Sequence, residues 1–217
     1  MKNAPVVSFD LDGTITDGSF ADSVWLEGIP RYYAGKENIS FEEAKIEVKK
    51  EYDKVGRTKL EWYDPNFWIK KFDLDISPDE VLNSFKNKIR IFPEVPKVIQ
   101  DLRKKGLKLI VISNAHREFV DLQLGETRIA KYFDHVFSAS SDFGLIKNNA
   151  TAFERACDVC SIALEDMVHV GDDFCFDYET PKKLGIHAFY LDRTGKCKET
   201  YAIHNLLELN EKIERLM

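Results

Sequence analysis

The run from Val6 to Thr14, Val-Val-Ser-Phe-Asp-Leu-Asp-Gly-Thr, constrains the fold more than any other stretch of the chain. Val6, Val7 and Phe9 have the β-branched and aromatic character of a short strand buried on both faces. Two carboxylates and a glycine cut that strand off. Asp10 and Asp12 therefore lean out over the carboxyl edge of a sheet, where open α/β folds place their ligands. Acids held this close repel unless a cation lies between them, and a hard divalent ion with oxygen ligands, Mg²⁺ being the usual one, answers that need. With Gly13 permitting a tight turn and Thr14 supplying a hydroxyl, the stretch reads as a metal-dependent phosphoryl site with an aspartate nucleophile. An ordinary polar turn after a strand would show the same five residues, so the motifs further along have to decide.

Acids and hydroxyls gather at strand ends again later in the chain. A helix over 95–105 stops at Gly106, and a buried strand over 107–112 ends in Ser113-Asn114. The Ser113 hydroxyl is well placed to bind phosphate there, although a plain helix cap explains the serine equally well. A short strand is expected over 135–138. Lys147 then precedes a helix over 151–160, where a lysine opposes the helix dipole and so has a reason other than local stability. A strand over 167–170 ends in Gly171-Asp-Asp-Phe-Cys-Phe-Asp177. A helix over 177–184, a strand over 186–190 and a terminal helix over 203–216 complete the pattern.

Between the first strand and Phe92-Pro93 the periodicity is helical throughout. Ser40 with Glu43 and Ser77 with Glu80 fit the capping box, and Asp64-Pro65 marks a third helix start. Such a block predicts an all-helical domain, residues 17–91, inserted into a core made of 1–16 and 92–217 and covering the site. Trp25, Trp62 and Trp68 all fall in it, as fillers of a small helical core or as walls of a pocket. Arg31, Lys36, Arg57 and Lys59 read as solvated surface charge or as steering groups for an anion.

The DLDGT run, Ser113-Asn114, Lys147 and the Gly171-Asp172…Asp177 segment, in that order and with a helical insertion after the first, resemble the four motifs of the haloacid dehalogenase superfamily in its phosphatase form. The resemblance runs from Val6 to about Leu191. It implies a Rossmann-like α/β core, a mostly parallel sheet with helices on both faces, and a small all-α cap that opens for substrate and closes to exclude water. It implies Asp10 as nucleophile, Mg²⁺ held by Asp10, Asp12 through its backbone carbonyl, and Asp172, and Asp12 as the acid that then acts as base. Ser113, Asn114 and Lys147 would bind the transferring group, Thr14 would orient Asp12 or its loop, and Asp177 would support the metal's waters or Lys147. The chain departs from the family pattern in two places. Asn148-Asn149 stand where proline and an acid often follow the lysine, and Asp173 stands where serine is common. Asp173 is either a further ligand or a helix amino-terminal acid, and the cap is preferred.

The resemblance also disfavours dehalogenation of carbon, since in the family pattern the dehalogenases proper lack an acid at the position of Asp12. Hydrolysis of a small phosphorylated metabolite is the leading expectation. A phosphosugar mutase with the same motifs, and a phospho-accepting switch domain without catalysis, are the alternatives. Composition narrows the partners further. A chain of 217 residues with 44% hydrophobic content can fill one core plus a smaller insert. Its net charge of -6 disfavours nucleic acid and anionic membranes. Cytoplasmic residence and a monomer or homodimer are expected, there being no apolar signal segment or long apolar span. Cys157, Cys160, Cys175 and Cys197 lack the spacing of a disulfide framework, and the C-x-x-C pair is read as packing rather than zinc or redox chemistry.

Overall fold

A computed structural model of the chain describes residues 5–216. Six strands, β1 (Val6–Phe9), β2 (Lys108–Ser113), β3 (His135–Ser138), β4 (Met167–Gly171), β5 (His187–Leu191) and β6 (Ala202–Ile203), form one sheet in the order β3-β2-β1-β4-β5-β6. Every pairing is parallel. The chain builds outward from β1 to β2 and β3, then returns to the other side of β1 for β4. That reversal opens a crevice at the carboxyl ends of the three central strands. Register puts the three ends level: Phe9 stands opposite Val111 in β2 and opposite Val170 in β4.

Burial on both faces explains why these strands read as continuous apolar runs. Val7, Phe9, Leu109, Val111, Val168 and Val170 point into one layer, packed beneath Val98, Ile99 and Leu102 of helix Val95–Lys104 and Ile213 of helix Leu209–Glu214. Val6, Ile110, Ile112 and Met167 point the other way, against Phe153, Ala156 and Cys157 of helix Thr151–Cys160. Cys157 is thus a core side chain, and all four cysteines are free thiols. Among the described residues no helix is long and apolar enough to cross a membrane.

Helices are the only regular elements over residues 19–88. Both capping boxes form, Ser40 with Glu43 and Ser77 with Glu80, and Asp64 accepts the Asn66 N–H at 2.9 Å. These helices bury a cluster of their own around Val48, Tyr52, Trp68, Phe72 and Leu82, joined to the rest through Phe119 of helix Arg117–Thr127. Entry and exit run side by side, since the Asp17 N–H donates to Arg90 O (3.0 Å) and the Phe92 N–H to Ile15 O (3.1 Å). The segment therefore leaves and rejoins the sheet right beside the end of β1.

The carboxyl-terminal part differs from the periodic expectation. Ile203 belongs to β6, not to a helix, and the last helix covers only Leu209–Glu214 after a tight turn over Leu206–Glu208. Two residues are too few to show strand alternation. The helix expected over 177–184 begins at Phe174 as a widened turn and continues over Thr180–Lys183, because Asp173 caps it. Trp68 is fully buried and donates its ring N–H to Trp62 O at 3.2 Å. Trp68→Ala should cost about 3–5 kcal/mol, read as a lower denaturant midpoint; a loss below about 1 kcal/mol would show that this cluster does not hold the segment together.

Candidate active site

Strand geometry delivers the acids. The Asp10 N–H donates to Val170 O at 2.9 Å, which continues the β1 to β4 ladder one residue past the strand and fixes Asp10 next to the end of β4. Gly13, at φ 77°, turns the chain immediately afterwards, and its N–H donates to Thr16 O at 2.6 Å. Any side chain there would collide, since a Cβ would lie 2.2 Å from a carboxylate oxygen of Asp172. Gly171 is pressed in the same way, its absent Cβ 2.3 Å from Asp177 Cγ. Both glycines are needed so that acids from two strands can approach the same point.

Lys147 lies between the acids with only 2% of its surface exposed. Its ammonium pairs with Asp10 and, at 2.5 Å, with Asp177 Oδ1. Asn114 positions it, accepting the Lys147 N–H on Oδ1 at 2.8 Å. Asp177 is further held by His169 (Nε2 to Oδ1, 3.1 Å), whose other ring nitrogen contacts Ser8 Oγ at 2.8 Å. Thr14 donates to Asp172 Oδ1 at 3.3 Å, and Ser113 Oγ accepts the Ala115 N–H at 3.1 Å. Asp12 points elsewhere: Gln123 Nε2 donates to its carboxylate at 3.1 Å, while Gln123 Oε1 accepts from Thr16 Oγ1 at 2.7 Å. Asp173 caps the following helical turn, accepting the Cys175 and Phe176 N–H groups at 3.0 Å each.

One cleft of about 300 Å³ is lined by Asp10, Asp12, Ser113, Asn114, Lys147, Asp172 and Asp177 together. Thr14 lies beneath it, fully buried. The helical segment contributes the opposite wall with Trp25, Trp62, Tyr63 and Arg57. So the tryptophans divide: Trp68 is core, whereas Trp25 and Trp62 reach the cleft. Arg57 is not merely solvated, since it pairs with Asp173 and stacks 4.8 Å over Phe176.

Electrostatics match this crowding. Burial pushes Asp10 well above the usual carboxylate range against the pull of Lys147, with Asp177 and Asp172 adding to the rise. Asp172 is pushed up to about 7 by burial and then by Asp177. Asp177 behaves in the opposite sense: burial would raise it, but Lys147 and His169 together bring it down to about 2. Carboxylate oxygens of Asp10, Asp172 and Asp177 all lie within 4.8 Å of one another. Asp177 is held by both Lys147 and His169, Asp10 shares the same ammonium, and Asp172 accepts from the Thr14 hydroxyl, so the acids outnumber the one buried cation, and hard oxygen donors at this spacing fit a divalent ion. The Asp12 side chain is not in that group.

Gln123, His169 and Arg193 are further residues of the site that no motif marks. Arg193 donates to Gly13 O (3.1 Å) and Thr14 O (2.7 Å), holding the turn after β1 from below while pairing with Glu94 at 2.6 Å. They come from separate parts of the chain and carry no local spacing signal.

Burial pushes the Asp12 carboxyl up to about 6, against the Gln123 hydrogen bond. A group raised on folding stabilises fully below pH ~4, and that contribution is lost as the pH rises through about 6. In the metal-free protein, Asp12→Asn should therefore gain on wild type between pH 4 and pH 7, by no more than about 3 kcal/mol, in urea unfolding. A gap that stays flat or narrows over that window would refute the burial argument.

Comparison with known proteins gives the family. A family model for haloacid dehalogenase-like hydrolases matches residues 5–185. The chain is 27% identical over 222 residues to glyceraldehyde 3-phosphate phosphatase of Methanocaldococcus jannaschii, covering 97% of each protein. It is 22% identical over 171 residues to the GMP/IMP nucleotidase YrfG of Escherichia coli, covering 79% of this chain and 75% of that one. The crystal structure of a HAD phosphatase from Thermococcus onnurineus superposes with a TM-score of 0.86 at 27% identity, over 96% of this chain and 97% of the other. The chain belongs to the haloacid dehalogenase-like hydrolases and is an enzyme of their phosphatase type.

Proposed function

We propose that the protein is a Mg²⁺-dependent phosphatase that hydrolyses a small phosphate monoester through an aspartyl-phosphate intermediate. The observation that carries this reading is the convergence of Asp10, Asp172 and the Lys147 ammonium at the ends of β1 and β4, beneath a cleft sized for a small metabolite. Phosphate monoesters are among the slowest esters to hydrolyse unaided, so charge neutralisation and positioning must supply most of the barrier reduction.

Asp10 attacks phosphorus in line, and the ester oxygen leaves with a proton from Asp12. The raised affinity of Asp12 for its proton suits it to that role, and Gln123 keeps its carboxylate turned away from the Asp10 and Asp172 pair. Asp12 then takes a proton from the water that cleaves the aspartyl phosphate. Lys147, kept charged by Asp10 and Asp177, faces the phosphoryl oxygens with Ser113 and Asn114. Asp10 and Asp172, with the Asp12 main-chain carbonyl, would hold Mg²⁺. When bound, the ion offsets repulsion between the anionic nucleophile and the anionic ester.

Residues 17–91 act in this reading as a cap over the core of 1–16 and 92–217. Arg57 to Asp173, and Asn114 Nδ2 to the Tyr63 hydroxyl at 3.5 Å, are the contacts that would seat it in the closed form. With a net charge of -6, cytoplasmic residence as a monomer or homodimer without a nucleic-acid partner goes with the reading.

Asp10→Asn should reduce turnover of p-nitrophenyl phosphate at least about a hundredfold while circular dichroism stays that of wild type. Retained activity would remove Asp10 as nucleophile. Chelation by EDTA should silence the wild-type enzyme and Mg²⁺ restore it, with inorganic phosphate, not an isomerised sugar phosphate, as the measured product. Undiminished hydrolysis in chelator would contradict the role given to Asp172.

A further inference from the structure

We infer that the leaving group of the substrate is an uncharged alcohol bearing a planar unsaturated ring, an inference that rests on the phosphatase reading and names the ester it acts on. Charge around the cleft supports the first half. Three side chains lining it can carry positive charge, and each already faces a carboxylate of its own. Lys147 is taken by Asp10 and Asp177, and Arg57 by Asp173. The His116 Nδ1 lies 3.5 Å from Glu118 Oε2 without a hydrogen bond between them, an ion pair only when the imidazole is protonated. Lys147 serves the reacting phosphoryl group, so a second negative charge on the substrate meets no free cation and must displace an existing pair.

The walls support the second half. Above the acids the cleft is bounded by Trp25, Trp62, Tyr63 and Phe119, with Ala21 and Ala115 between them. Trp25 lies flat on the buried Phe119, ring centroids 5.1 Å apart and planes at 12°, which fixes the indole in that wall. Tyr63 is kept neutral, burial raising its hydroxyl to about 12. Flat apolar walls favour a flat apolar guest over an open polyol, whose hydroxyls would lose water against those rings. A cleft of about 300 Å³ admits a single small leaving group.

The test is a set of kcat/KM values with Mg²⁺ on esters matched in reactivity. Benzyl phosphate and inosine 5′-monophosphate supply the ring from a synthetic alcohol and from a nucleoside. Glycerol 3-phosphate and ribose 5-phosphate lack it, and 3-phosphoglycerate adds a carboxylate. Each ring-bearing ester should exceed its ring-free counterpart, and glycerol 3-phosphate should exceed 3-phosphoglycerate, by at least about tenfold. Benzyl phosphate without inosine 5′-monophosphate would identify a single-ring alcohol as the source; both together would identify a nucleoside. Trp62→Ala should lower the kcat/KM ratio of each ring-bearing ester to its ring-free counterpart by at least about tenfold, and an unchanged ratio would remove Trp62 as the surface that receives the ring. Asp173→Asn, which keeps a capping side chain but frees Arg57, should raise 3-phosphoglycerate relative to glycerol 3-phosphate by about tenfold. Hydrolysis of p-nitrophenyl phosphate with no preference among these esters overturns this inference alone. Absence of turnover on every ester, with any divalent ion, overturns the phosphatase reading and this inference with it.

Discussion

The structure depends on a balance of charge at one spot: one buried ammonium, Lys147, set against acids that arrive from two neighbouring strands. Burying several carboxylates within a few ångströms is unfavourable unless each finds a partner. Asp177 finds Lys147 and His169 and is held strongly acidic, whereas Asp10 and Asp172 are pushed the other way. That split assigns different work to chemically identical groups. Asp177 anchors the lysine, while the crowding that raises Asp10 and Asp172 would be relieved by a cation bound between them.

Backbone geometry makes the crowding possible. Gly13 and Gly171 each leave a space that a carboxylate fills, so a single methyl group at either would displace Asp172 or Asp177. Arg193 ties the turn after β1 to Glu94, and Gln123 links Asp12 to Thr16. The acids therefore sit on a braced platform at the sheet edge. This matters for chemistry in which positioning supplies most of the rate.

The helical segment joins that platform through the Phe119 side chain, which its buried cluster includes, and through polar contacts of Arg57 and Tyr63. Its aromatic residues serve two ends, with Trp68 stabilising the segment and Trp25 and Trp62 shaping the cleft.

Much of this was legible along the chain because it is local. Buried strands announce themselves by apolar runs, helix starts by capping residues such as Ser40 and Ser77, and the acids by their place just past Phe9 and Val170. Asp173 as a cap was equally readable, since capping acts over two or three residues. What only tertiary structure decided is pairing across long separations. Gln123 meets Asp12, Arg57 meets Asp173 and Arg193 meets the Gly13 turn through contacts 111, 116 and 180 residues apart in sequence. Ile203 likewise became a strand only because β5 offered an open edge to pair with. Sequence alone determined which residues stand at the ends of strands, since periodicity and capping are short-range properties; which of them share a proton, a charge or a cleft was decided by folding, since those forces act through space and ignore order along the chain.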